Sequence, residues 1–154
     1  GSVNAEASVD LGKLLGTDWT FGLDVADKYS IGDKTNLFLA SVYGGIDVFN
    51  LSLEYGLKTP EVGDMVNMLY VGADINVLEG LLLNAYFGAA DLVKFVDNWY
   101  VGANVGYEVY DGITLALNVQ YATEGGADLI GGDISEGSVG AAGFSITPKM
   151  SIAF

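Results

Sequence analysis

Apolar and polar residues alternate strictly on both sides of Asp111-Gly112. After the pair, Ile113, Leu115, Leu117, Val119 and Tyr121 fall on one side, with Thr114, Ala116, Asn118 and Gln120 on the other. Before it, Val101, Ala103, Val105, Tyr107 and Val109 oppose Gly102, Asn104, Gly106 and Glu108. A period of two is the signature of a strand. Asp-Gly between two such runs predicts a two-residue hairpin turn with positive φ at both central residues.

The same alternation recurs along the chain. Val3, Ala5, Ala7, Val9 and Leu11 alternate with Asn4, Glu6, Ser8 and Asp10, and 12–18 reads as a connection. Trp19, Phe21, Leu23 and Val25 face away from Thr20, Gly22 and Asp24, before a polar loop over 27–34. The run 35–48 is apolar on both parities; grouping Asp47 with the other acids puts Phe38, Val42, Ile46 and Val48 on the apolar side. A tight turn near Phe49-Asn50 leads into Leu51, Leu53, Tyr55 and Leu57, with Ser52 and Glu54 opposite, and then into a loop over 58–65. Leu69, Val71, Ala73, Ile75 and Val77 oppose Tyr70, Gly72, Asp74 and Asn76; Glu79-Gly80 turns the chain into Leu81, Leu83, Ala85 and Phe87. After a loop over 91–98 comes the ribbon described first, then a long Gly-rich acidic connection over 123–137. The chain closes on Phe144, Ile146, Met150, Ile152 and Phe154 against Ser145, Thr147, Lys149 and Ser151.

Short turns near 49, 79 and 111 alternate with longer loops, so the pattern predicts up-and-down hairpins with short turns at one end of the sheet. The expected fold is all-β, a transmembrane antiparallel up-and-down β-barrel of about eight strands within residues 17–154, with nine or ten possible. Residues 1–16 read as an N-terminal extension or an extra strand.

Composition narrows the function classes. The chain has 154 residues, no Cys and no His, which removes thiolate sites, the usual zinc ligands and a Ser–His nucleophile. All six basic residues are Lys, and twenty carboxylates leave a net charge of −14, unsuited to nucleic acid. Charged residues make up 17% and glycine contributes 22 positions, a balance unusual for a soluble β-protein. No cofactor, metal or catalytic step is expected. The acidic loop 124–137 lacks the Asp spacing of an EF-hand and reads as solvated. Its Gly pairs have no following Lys-Ser/Thr and make no phosphate loop.

Alternation alone does not say which face meets water. Three features point to the apolar one facing lipid. The polar side is rich in glycine and shares it with Tyr70, Tyr86 and Tyr100, as a crowded interior requires. Lys28, Lys34, Lys58 and Lys94 read as loop residues and Lys13 as part of a connection, while Lys149 alone lies in a strand, on the polar side; a lipid-facing Lys at mid-depth costs about 2–4 kcal/mol. Tyr55, Phe87, Trp99 and Tyr121 mark the long-loop ends of strands, and Tyr107, Tyr110 and Phe154 the short-turn ends, as interfacial girdles do. Strands of about ten residues tilted ~45° span roughly 23 Å, close to the apolar band of an outer membrane.

The ending Met150-Ser151-Ile152-Ala153-Phe154 resembles the C-terminal signal of bacterial outer-membrane β-barrel proteins, a terminal Phe preceded by apolar residues at alternate positions. The resemblance implies an outer-membrane location and recognition of Phe154, Ile152 and Met150 by the barrel-assembly machinery, with the lipid bilayer or a detergent as the other partner. Pro148 departs from the pattern, because it lacks an N–H in a strand that should pair on both sides, and implies a bulge or an imperfect seam. Asp24, Asp47, Glu54, Asp74, Glu108 and Lys149 are then the candidate lumen-lining residues. Four of them, Asp47, Glu54, Asp74 and Glu108, are expected within a few rungs of depth, either as a cation-preferring ring or as part of a hydrogen-bonded plug. Crowded carboxylates repel unless Lys149, amides or water satisfy them. The functional expectation is a passive, non-enzymatic, porin-like or structural barrel with an acidic, partly plugged lumen. A surface-loop adhesin, a soluble β-barrel binding an apolar ligand and the C-terminal part of a larger porin are the alternatives.

Overall fold

The computed structural model describes residues 1–18, 20–125 and 142–152, and for Val77 the backbone alone. Trp19, most of the acidic loop and Phe154 lie outside the described residues. Among the described residues nine strands form one sheet: β1 (Ser2–Asp10), β2 (Thr20–Ser30), β3 (Thr35–Ile46), β4 (Phe49–Thr59), β5 (Val66–Leu78), β6 (Leu81–Ala89), β7 (Trp99–Tyr110), β8 (Ile113–Ala122) and β9 (Gly143–Ile152). Each pairs antiparallel with the next in chain order, a continuous meander. The N-terminal segment is thus a ninth strand, paired with β2 from Ser2 opposite Ser30 to Asp10 opposite Gly22. Among the described residues β1 and β9 do not pair, so the sheet is open.

The two ends of the sheet differ. At one end lie the turns 47–48, 79–80 and 111–112, with the longer connection 11–19; at the other lie 31–34, 60–65, 90–98 and 123–142. The connection 11–19 contains α1 (Leu11–Leu15), capped by Asp10 Oδ1 accepting from Lys13 N at 2.9 Å. Gly16, at φ 65°, ends this single turn of helix in the left-handed conformation.

Several boundaries differ from the sequence expectation. The first tight turn is Asp47-Val48, with Phe49 already in β4. Asp47 has φ 55°, which the short polar side chain of Asp tolerates better than most. At Asp111-Gly112 only Gly112 has positive φ, at 77°, and the β7–β8 register shifts between Glu108 and Tyr110. One left-handed glycine plus a bulge therefore replaces the mirror-image turn, another way of matching a hairpin connection to strand twist. Glu79-Gly80 does the same, with Gly80 at φ 78° and a shift between Ile75 and Leu78. Lys28 and Lys58, expected in loops, lie in β2 and β4, because those strands run on to Ser30 and Thr59. Their register places both on the polar face, in step with Asp24 and Glu54.

Exposure separates the two faces. Leu51 is 59% exposed, Leu115 47% and Leu117 42%, whereas Tyr100 and Gln120 on the other face are 4% and 2% exposed. A single-layer sheet buries one face only by curling toward it and covering it with its own side chains. This sheet curls toward its glycines, tyrosines and amides. The facing expected for β3 holds, since Phe38 pairs with Leu57 and Val42 with Leu53. Its reason does not, because Asp47 is a turn residue; the pairs Ser41–Glu54 and Tyr43–Ser52 align the face instead. Pro148 sits opposite Leu117 in an unshifted β8–β9 register, so there is no bulge, and its strand is a sheet edge.

Candidate functional site

The candidate site is the centre of the curled polar face. Antiparallel register stacks this face in transverse rows, and two rows carry its organisation. In one, Asn50, Asp74, Asn84, Asn104, Asn118 and Thr147 stand side by side on β4 to β9. Four of these six residues are hydrogen-bonded in sequence. Asn84 Nδ2 donates to Asp74 Oδ1 at 2.7 Å, Asn104 Nδ2 to Asn84 Oδ1 at 3.0 Å, and Asn118 Nδ2 to Asn104 Oδ1. A carboxamide has a donor end and an acceptor end, so a row of them relays one bond to the next. Asp74, acceptor only when ionised, terminates the relay.

The neighbouring row toward the long loops pairs rings with glycines. Gly22 faces Tyr43 across β2–β3, and Tyr86 faces Gly102 across β6–β7. One row further on, Gly88 faces Tyr100. Each ring lies over its glycine: a Cβ on Gly22 would meet Tyr43 at 2.2 Å, on Gly102 Tyr86 at 2.4 Å, and on Gly88 Tyr100 at 2.0 Å. Only residues without a Cβ let rings of this size lie flat on the sheet, which seals the backbone below. Tyr86 and Tyr100 approach at 6.2 Å between centroids with planes tilted 55°, and Tyr70 packs against the pair.

Tyr86 ties the two rows together. Because Gly102 leaves room, its hydroxyl reaches over β7, donating to Gln120 Oε1 at 2.7 Å and accepting from Asn118 Nδ2 at 2.9 Å. Gln120 Nε2 and Glu54 Oε1 are buried without a hydrogen-bond partner among the described residues. Toward the short turns the face opens into a cup of about 400 Å³ whose wall includes Asn50, Asp74, Asn84, Asn104 and Thr114. The arrangement is a packed polar half and a hollow polar half.

The sequence candidates occupy different parts of this face. Asp74 belongs to the amide row and Glu54 to the tyrosine region, opposite Ser41 and Tyr70. Asp24 pairs with Ser8 and Ser41 near the β1 edge. Asp47 does not line the face; it is exposed in its turn. Glu108 sits at the short-turn end, where Oε1 accepts from Gly112 N at 3.1 Å and its own N–H bonds Gly80 O at 2.8 Å. Its role there is to fasten two turns. Asp74 stands two rows, four residues or about 13 Å, from the row of Glu54, and Glu108 another two from the row of Asp74, so the three share no row. Lys149 is exposed opposite Ala116 and forms no ion pair with them among the described residues. Met150 and Ile152 are exposed on the apolar face of β9.

The amide row is not among the residues expected from the sequence, where isolated carboxylates give the stronger local signal. Asn84, Asn104 and Asn118 each sit on the polar parity, but only register shows that they adjoin.

The loop end has its own ties. Lys34 Nζ meets Glu61 Oε1 at 2.6 Å across two connections, and Tyr55 Oη donates to Asn67 Oδ1 at 2.5 Å on the apolar side. Trp99 packs on Tyr121 at 5.4 Å, and Thr123 Oγ1 both accepts from Trp99 N and donates to Trp99 O.

Comparison with family models, curated proteins and solved structures gives no match.

Proposed function

We propose that the chain is a passive element of an outer-membrane β-barrel, non-enzymatic, with lipid against its apolar face and its polar face lining the lumen. The observation that carries this reading is the inverted exposure. Most leucines, valines and phenylalanines of the interior strands point outward, Leu37, Leu39, Val66 and Leu82 excepted, while Tyr86, Tyr100 and Gln120 are enclosed. Water outside would make this arrangement unfavourable, since each of these half-exposed apolar side chains forgoes about 1 kcal/mol of burial. Hydrocarbon removes that penalty.

Further features support it. Among the described residues on the apolar face of the interior strands, the only ionisable carboxylate is Asp27, opposite Phe38 near the long connections. Tyr55, Trp99 and Tyr121 sit toward the long-loop side of this face, and Phe49, Tyr107 and Tyr110 toward the short-turn side, as two aromatic belts would. The short turns then lie toward the periplasm. Exposed Met150 and Ile152 on an edge strand suit recognition by the assembly machinery; Phe154 completes that motif in the sequence.

Within this reading the lumen is blocked in its long-loop half by Tyr43, Tyr70, Tyr86 and Tyr100, and hollow toward the short turns. The role is porin-like in form, with a blind polar cup rather than an open cation-selective ring. Single spin labels at Leu53 and Leu117, against labels at Ser52 and Asn118, test the facing in lipid vesicles. Outward sites should relax with oxygen and the inner pair should not. A water-soluble monomer with protected Leu117 would reject the reading. Planar-bilayer recording decides the plug: a steady cation-selective current in the unaltered chain would reject the blockage.

A further inference from the structure

We infer that the open side of the sheet, between β1 and β9, receives one additional strand from outside residues 1–154, running antiparallel to both edges. The edges have the same direction. β1 starts opposite Ser30 by the long connections and ends opposite Gly22 by the short turns. β9 likewise starts opposite Ala122 and ends opposite Ile113. An odd meander always leaves its first and last strands parallel.

Direct closure would thus need a parallel seam, slightly weaker per residue and used nowhere else in this sheet. A second copy does not remove the difficulty. Inserted in the same sense, it offers β9 to β1, again parallel. An antiparallel β1–β1 contact needs one copy upside down, with its long connections on the wrong side of the bilayer; this step rests on the membrane reading above. One strand pointing from the short turns to the long connections pairs antiparallel with both edges. It raises the count from nine to an even number, the usual state of closed bacterial barrels.

Exposure marks the same gap. Every residue of β1 is exposed on both faces, and β9 is exposed from Ile146 to Ile152, whereas β7 and β8 bury or half-bury most of their polar side. An unpaired edge of this length is a template for strand addition. The chemistry of the occupant follows from its neighbours. Outward positions must be apolar, beside Val3, Ala7 and Val9 on one flank and Ile146 and Met150 on the other. Inward positions must be polar, with Lys or Arg beside Glu6 and Asp10 on the β1 flank and no cation beside Lys149 on the β9 flank, because opposite charges across strands stabilise pairing and like charges weaken it.

Hydrogen exchange in detergent tests this on the full chain, unextended and extended at its N-terminus by an alternating strand of about ten residues. A four-residue turn copied from Ile31 to Lys34 joins the two, and the inward positions beside Glu6 and Asp10 carry Lys while the others carry Thr. In the unextended chain, amides of β1 and β9 should exchange far faster than those of β4 to β7. The added strand should slow both edges by about a hundredfold or more. Glu in place of the inward Lys should reduce that protection. Edges already protected in the unextended chain, or protection of β1 without β9, would overturn the inference. The readout does not depend on which face meets lipid, so it stands apart from the spin-label result.

Discussion

Replacing Tyr86 by Phe removes a single oxygen from the centre of the polar face. That oxygen donates to Gln120 Oε1 at 2.7 Å and accepts from Asn118 Nδ2 at 2.9 Å. Asn118 keeps its bond to Asn104 Oδ1, so its loss is partial. Gln120 is affected most, because its Nε2 already lacks a partner and the residue is 2% exposed. Both ends of a buried amide would then be unsatisfied. Leaving a buried acceptor unpaired costs about 1–3 kcal/mol, and the ring itself is retained, so the transfer and cavity contributions are small. Tyr86→Phe should therefore destabilise by about 2 kcal/mol. Removing both partners is a different case, since replacing a bonded pair with apolar groups of similar shape is close to neutral. The double variant Tyr86→Phe/Gln120→Met should recover at least half of the loss. The assay is urea unfolding in detergent micelles, followed by tryptophan fluorescence, with a double-mutant cycle over the four proteins. A Tyr86→Phe effect below about 0.5 kcal/mol, or a double variant as unstable as the sum of the singles, would refute the claim that Gln120 depends on this hydroxyl.

Three other outcomes follow from the same geometry. With lipid against the apolar face as proposed, Leu53→Lys places a charge at mid-depth and should cost about 2–4 kcal/mol, whereas Ser52→Lys on the polar face should cost less; the folded fraction on unheated gels ranks them. Gly102→Ala puts a carbon 2.4 Å from the Tyr86 ring and should destabilise by about 1–3 kcal/mol in urea unfolding, with Tyr86→Ala restoring part of the loss. In the turn 31–34, the Ser30 hydroxyl bonds Asp33 and holds its carboxyl below the ordinary range. A depressed folded value stabilises above the unfolded pKa and loses that contribution as pH falls through the folded one. Ser30→Ala should accordingly shift the Asp33 midpoint upward in an NMR titration, and an unchanged midpoint would contradict the assignment.

Strand identity and facing were legible in the sequence, because side-chain direction along a strand is a local property with period two. Leu115 and Leu117 fall on one side and Asn118 and Gln120 on the other wherever the strand is placed. Turn sites at Glu79-Gly80 and Asp111-Gly112 were legible for the same reason, since a left-handed glycine announces itself within a few residues. Tertiary structure decided which polar residues meet. Asn84, Asn104 and Asn118 become one row only after two connections of different length and two registers are set. It also decided that Asp47 turns the chain, that Glu108 holds two turns at the short-turn rim of the polar face, and that β1 and β9 end as parallel edges. These depend on the sum of all registers around the sheet, a quantity that no short stretch of the chain contains.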